Sequence, residues 1–153
     1  MTVDLVPFLK STGESVVGKI RTNLQSTGSN ASGKTAASLK YTVTVSGDTT
    51  TLRVVGRPYF MTVETGRGPT VNSTPGAKTL VQAIKEWMKA KGVKGSAFGI
   101  AKAIHEKGTK LYRKGGRKDI VSNVVNQTLV DSISKTVLKQ FTEAYISIVR
   151  STQ

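Results

Sequence analysis

The sequence predicts an α+β fold: an N-terminal amphipathic helix, a small antiparallel sheet built from a hairpin plus a third strand, two central helices and a long C-terminal helical segment. Three observations lead there. Apolar residues recur at steps of three, four and seven over residues 4–26, and helical stripes return in 79–108 and 119–150. Between them, residues 39–46 alternate apolar and polar side chains, the period of a half-buried strand. The strand-like runs also sit in one block and do not alternate with helices, which argues against βαβ crossovers and a parallel sheet. With 153 residues the chain reads as a single domain, 1–153.

The N-terminal helix falls within 1–28, where Leu5, Phe8, Leu9, Val16, Val17, Ile20 and Leu24 trace one face. Asp4 is placed to cap it, and Pro7 lies in the first turn, where a missing N–H costs nothing. Gly13 and Gly18 weaken it by up to about 1 kcal/mol each relative to Ala, so packing must hold it. Ser26–Ser32 is a polar loop. The strands occupy 38–64: Leu39, Tyr41, Val43 and Val45 alternate inward, Gly47-Asp48 turns the chain, Thr50–Val55 returns, and Tyr59–Val63 is a third strand after Pro58. Residues 65–78, with two prolines and three glycines, form an extended loop. In 79–108, Thr79 caps a helix carrying Leu80, Val81, Ile84, Trp87 and Met88, ended by Gly92. Ser96 caps the next, with Ala97, Ile100, Ala101 and Ile104 inward and Gly108 as terminator. A basic loop spans 109–118, and 119–150 carries the C-terminal stripe from Val121 to Ile148, with Asp131-Ser132 as a point where it can break.

Charge is the strongest compositional signal. Lys and Arg number 23 against 9 Asp and Glu, a net charge of +14, and the pI is about 10.3. Residues 1–60 contribute +4 and residues 61–153 contribute +10, with twelve cations between Lys78 and Lys118. Lys107, Lys110, Arg113, Lys114, Arg117 and Lys118 crowd a glycine-containing stretch, and mutual repulsion predicts that it stays mobile until a partner neutralises it. Such a chain meets a polyanion, or sits beside subunits that compensate it. The absence of cysteine excludes disulfides, thiolate nucleophiles and Cys-based metal sites. No apolar run reaches the ~18 residues of a membrane span, and the N-terminus lacks a signal-peptide pattern.

Gly28-Ser29-Asn30-Ala31-Ser32-Gly33-Lys34-Thr35 satisfies the phosphate-loop pattern G-x-x-x-x-G-K-[ST] letter for letter. A working phosphate loop needs a buried strand before it and a helix after it, plus a later acidic residue for Mg²⁺. Here an amphipathic helix precedes and a hairpin follows, so the segment reads as a Gly/Ser linker. The single histidine, His105, has no second His or Cys and reads as a helix-surface residue. The nine carboxylates are scattered singly, which offers no acid–base pair, and no serine sits in a nucleophile elbow. No catalytic residue, cofactor or metal is expected. Trp87 reads as a core side chain, with an interface anchor as the alternative, and few aromatics are left for base stacking.

The middle of the chain carries a more specific pattern. Tyr59-Phe60-Met61-Thr62-Val63-Glu64-Thr65-Gly66-Arg67-Gly68-Pro69 is followed by Ile84-Lys85-Glu86-Trp87-Met88-Lys89-Ala90-Lys91-Gly92, then by Ala97-Phe98-Gly99-Ile100-Ala101-Lys102-Ala103-Ile104-His105-Glu106-Lys107-Gly108-Thr109. In order and spacing these runs, over roughly residues 30–140, resemble the tail-completion (neck, or head–tail joining) proteins of tailed double-stranded DNA bacteriophages. Ser32–Leu39 resembles the link between helix and sheet in the same family.

The resemblance implies a non-enzymatic virion structural protein, a homo-oligomeric ring, six- or twelve-fold, at the phage neck, assembled in the bacterial host cytoplasm. Its implied partners are copies of itself, portal-side connector and tail-tube proteins, and genomic DNA touched without sequence preference, with no membrane. Identical subunits in a ring make heterologous contacts that close by rotation. Interface duty is expected of Glu64 and Arg67, as an inter-subunit ion pair or a local turn brace, and of Lys107, Lys110, Arg113, Lys114, Arg117 and Lys118. The alternative is a basic nucleic-acid-binding module, although no helix-turn-helix, zinc finger or aromatic RNA-binding motif is recognisable.

Overall fold

The computed structural model describes residues 3–58, 60–70 and 79–151. Helix α1 (Val6–Ser26) is the spine of an α+β fold. Its N-cap residue is Leu5, yet Asp4 still contributes: its Oδ1 accepts from Val6 N–H at 3.0 Å, with Pro7 in the first turn as expected. Leu9, Gly13, Val16, Val17, Ile20 and Leu24 are buried along one face, the stripe read from the sequence. Gly13 has a packing purpose: a Cβ there would lie 2.6 Å from the Tyr41 ring and 2.8 Å from Leu52. The hairpin crosses α1 at the point where no side chain stands.

A short helix α2 (Lys34–Ser38) follows the Gly/Ser loop. The Arg21 guanidinium, reaching over from α1, donates to the Ala36 carbonyl at 3.1 Å and the Leu39 carbonyl at 2.7 Å, so carbonyls at the end of α2 are satisfied. The hairpin pairs β1 (Lys40–Ser46) with β2 (Thr49–Val55), antiparallel, Tyr41 opposite Val54 and Val43 opposite Leu52.

The third strand expected over Tyr59–Val63 does not form. Tyr59 lies outside the described residues, and the chain turns into a single helical turn, α3 (Thr62–Thr65). Phe60 and Val63 both pack against the core, three residues apart, a spacing that a helical turn satisfies and a strand does not.

Helices α4 (Leu80–Lys91) and α5 (Ala97–Lys107) pack on each other, burying Met88 and Ala101. Their caps are those read from the sequence. Thr79 and Gln82 form a capping box, and Ser96 Oγ accepts from Gly99 N–H at 3.2 Å. The 109–118 segment is more ordered than a loop, since Thr109 caps a helical turn, α6 (Lys110–Arg113).

The C-terminal stripe divides differently from expectation. Residues 119–124 are turns, with Ile120 fully buried in the α1 core, and helix α7 (Gln127–Ser151) begins only after them. Asn126 Oδ1 accepts from Leu129 N–H at 3.0 Å at its start. The helix runs unbroken through Asp131-Ser132, where Gln127 donates to Asp131 Oδ1 one turn along at 2.8 Å. The core cluster is Val16, Val17, Ile20, Leu24, Ala36, Leu39 and Ile120, and Leu129 is the last side chain of α7 to pack against it.

Candidate functional site

Two segments far apart in sequence, 64–70 and 108–122, are stitched together. Arg67 N–H donates to Thr109 Oγ1 at 3.0 Å, and Thr109 N–H donates to the Arg67 carbonyl at 2.8 Å. Arg117 N–H donates to the Glu64 carbonyl at 2.8 Å, and Thr70 N–H to the His105 carbonyl at 3.1 Å. The approach is close enough to exclude side chains. Gly66, at φ 71°, would place a Cβ 2.3 Å from the Tyr112 backbone nitrogen, so only glycine fits.

Glu64 anchors this stitch from inside. Its side chain is 3% exposed. Oε1 accepts from the N–H groups of Ile120 (2.9 Å), Val121 (2.6 Å) and Ser122 (3.0 Å), and Oε2 accepts from Ser122 Oγ at 2.7 Å. Burial pushes the carboxyl pKa up. The Ser122 hydroxyl and the three backbone donors outweigh it, and the net result lies below the ordinary carboxylate value.

Arg117 is half-buried and paired. Its guanidinium makes a bidentate pair with Asp119, 2.5 and 2.6 Å, and donates to Ser29 Oγ at 3.3 Å. The hydrogen bond to Arg117 holds the Asp119 carboxyl below its usual range. Arg67 is exposed and donates to Thr70 Oγ1 at 3.2 Å, so no Glu64–Arg67 pair exists within the chain. Lys107, Lys110, Arg113, Lys114 and Lys118 are exposed, and none has a side-chain partner among the described residues. The backbone beneath these cations is tied to 64–70 by the bonds above.

A second feature lies at the C-terminus. No residue of α7 is buried, although it carries Val130, Leu138, Phe141, Tyr145, Ile146, Ile148 and Val149, all exposed, with Leu138 at 67% and Tyr145 at 65%. Trp87, expected in the core, is instead 42% exposed. It stands at an open groove of about 560 Å³ with Lys34, Arg57 and Lys89, because α4 turns its Leu80–Ile84–Met88 side to α5 and leaves the Trp87 side uncovered.

The phosphate-loop pattern has the wrong neighbours for nucleotide binding. Gly28–Gly33 leaves the end of α1, not a strand, and the helix that follows has five residues. His105 is exposed near the end of α5, and no group of three metal-ligating side chains comes together among the described residues.

Reading from sequence singled out Glu64 and the cations for an interface, whereas the structure turns Glu64 into its own subunit; Thr109, Asp119 and Ser122 were not singled out. The signal for Thr109 was available, since Gly-Thr before Lys-Leu-Tyr-Arg has the form of a helix cap. Asp119 had one too, since it stands two residues from its partner Arg117, whereas Ser122 carries none, because its role exists only once the two segments meet. Compared with known proteins, the chain matches no family, no curated protein and no solved structure.

Proposed function

We propose that this chain is a non-enzymatic virion structural protein, a subunit that closes into a six- or twelve-fold ring in the neck of a tailed double-stranded DNA bacteriophage. The observation that carries the ring is α7. At 100° per residue, its apolar side chains from Leu129 to Tyr145 cover an arc of roughly 180°. A helix covered by one neighbour needs a stripe of about 100°. An arc nearly twice that width suits a helix wedged between two neighbours, as heterologous ring contacts provide.

The exposed area supports the same reading. The subunit exposes 10849 Å² at 16.3 kDa, where a compact monomer of that mass exposes about 7,500 Å². Surplus surface is what an obligate interface covers. A free-standing nucleic-acid module gains nothing from an exposed Leu138, Phe141 and Tyr145. The neck assignment rests on the ordered pattern from Tyr59 to Thr109, and it makes portal-side connector and tail-tube proteins the axial neighbours.

Light scattering and negative-stain imaging of the purified chain test this. The expected result is closed rings whose mass is a multiple of 16.3 kDa. Replacing Leu138 and Tyr145 by Ser is expected to give monomers with unchanged far-ultraviolet dichroism. A wild-type chain that stays monomeric at micromolar concentration overturns the ring.

A further inference from the structure

We infer that the stitched segment 107–118 is a docking surface for the phosphodiester backbone of duplex DNA. Lys107, Lys110, Arg113, Lys114 and Lys118 present five exposed cations without side-chain partners among the described residues. They stand on a backbone held by the Arg67–Thr109 and Arg117–Glu64 hydrogen bonds, so little ordering entropy is lost when a partner arrives.

The partner must bring many negative charges. A second copy brings few: the chain has nine carboxylates against 23 cations, Glu64 is buried and Asp119 is paired with Arg117. A protein surface is a poor match too. Protein interfaces are depleted of lysine and organised around an apolar centre, whereas four of these five cations are lysines. Phosphate contacts, by contrast, are made by point charges and need no apolar centre. Duplex is favoured over single strand because single strands are held by bases stacking on aromatic rings. The segment has one aromatic residue, Tyr112, half-exposed with its ring beside Gly68, and a single ring offers no row of platforms for successive bases.

The inference deepens the ring reading, since a ring would repeat the segment at each subunit, but the charge argument holds for one subunit alone. The experiment is therefore run both on the wild-type chain and on the Leu138→Ser, Tyr145→Ser variant. Fluorescence anisotropy of a short mixed-sequence duplex follows binding across salt. If all five cations meet phosphates, one subunit loses roughly 10²–10³-fold in affinity between about 50 and 200 mM salt.

Changing Lys107, Lys110, Arg113, Lys114 and Lys118 to Gln is expected to lower affinity at least about tenfold and to flatten that dependence. Changing Lys10, Lys19, Lys40, Lys85 and Lys135 to Gln removes the same net charge elsewhere and is expected to leave most of the binding intact. Equal losses in the two variants overturn the inference, because net charge alone would then explain the binding. Tighter binding of a single strand, or binding of poly-glutamate or anionic vesicles through this segment while duplex stays unbound, overturns it as well. Rings that form but ignore DNA sink this inference and spare the ring; monomers that bind DNA through the segment do the reverse.

Discussion

The Glu64 carboxylate collects four hydrogen bonds from a stretch of chain 56 to 58 residues away, and its removal exposes what they contribute. In Glu64→Ala, three backbone N–H groups and a hydroxyl lose their acceptor. Each buried orphan costs about 1–3 kcal/mol, and water entering the vacated space recovers part, so a net loss of about 2–4 kcal/mol is expected in urea unfolding. Glu64→Gln keeps an acceptor and should cost less, but it changes the response to acid. The folded pKa of Glu64 lies below its unfolded value near about 4.3, so its contribution is complete above that value. It is lost as pH falls through the folded value. The unfolding midpoint of the wild type should therefore fall more steeply on acidification below about pH 4 than that of Glu64→Gln. Gly66→Ala makes a sharper test of the stitch. It forces both a strained φ and a 2.3 Å contact with backbone, and a loss of at least about 2 kcal/mol is expected. The sequence marked Glu64 as a residue of consequence, but its inward aim depends on donors from Ile120 to Ser122 and could not be read from the turn around it.

Within α1, two glycines that look alike in sequence are predicted to respond oppositely. Gly18 is exposed with nothing within 4 Å of a Cβ, so Gly18→Ala should stabilise by up to about 1 kcal/mol through helix propensity. Gly13→Ala gains the same propensity but drives a methyl into Tyr41 and Leu52, where overpacking costs about 1–3 kcal/mol. The clash should win, and thermal unfolding should show a lower midpoint for Gly13→Ala and a higher one for Gly18→Ala. Local rules served well for such features as the Thr79 and Ser96 caps and the alternation of β1 through Val43, though Val45, expected inward, is exposed; a cap and a pleat are decided within four residues. They failed over 59–63 and 119–126, where β-rich or helix-like composition yields to contacts with the α1 core. Phe60 and Val63 reach that core on a turn, and Ile120 reaches it on another.

At the scale of the whole subunit, a small core carries a long helix with no buried residue among those described. If copies complete α7, the folded state is linked to association, and the melting temperature should rise with protein concentration. In Leu138→Ser, Tyr145→Ser that dependence should vanish, with a lower midpoint throughout. Differential scanning fluorimetry over a hundredfold range of concentration checks this. The net charge of +14 works against assembly by self-repulsion, so moderate salt should favour rings even as it weakens any contact with phosphate. Opposite salt responses of ring formation and DNA binding would separate the apolar surface from the cationic one.

The amino-acid order alone determined the α+β class, the helical face of α1, the hairpin and the caps of α4 and α5, since periodicity and capping act over a few residues. It also placed the excess charge and revealed a carboxylate amid the turn at 64–69. Only the tertiary structure decided that this carboxylate faces inward, that five cations of 107–118 have no side-chain partner among the described residues, that Trp87 stands outside the core, and that no described residue of α7 is buried. Each of those outcomes turns on which distant segment arrives opposite, and a one-dimensional pattern holds no distance between residues some fifty positions apart.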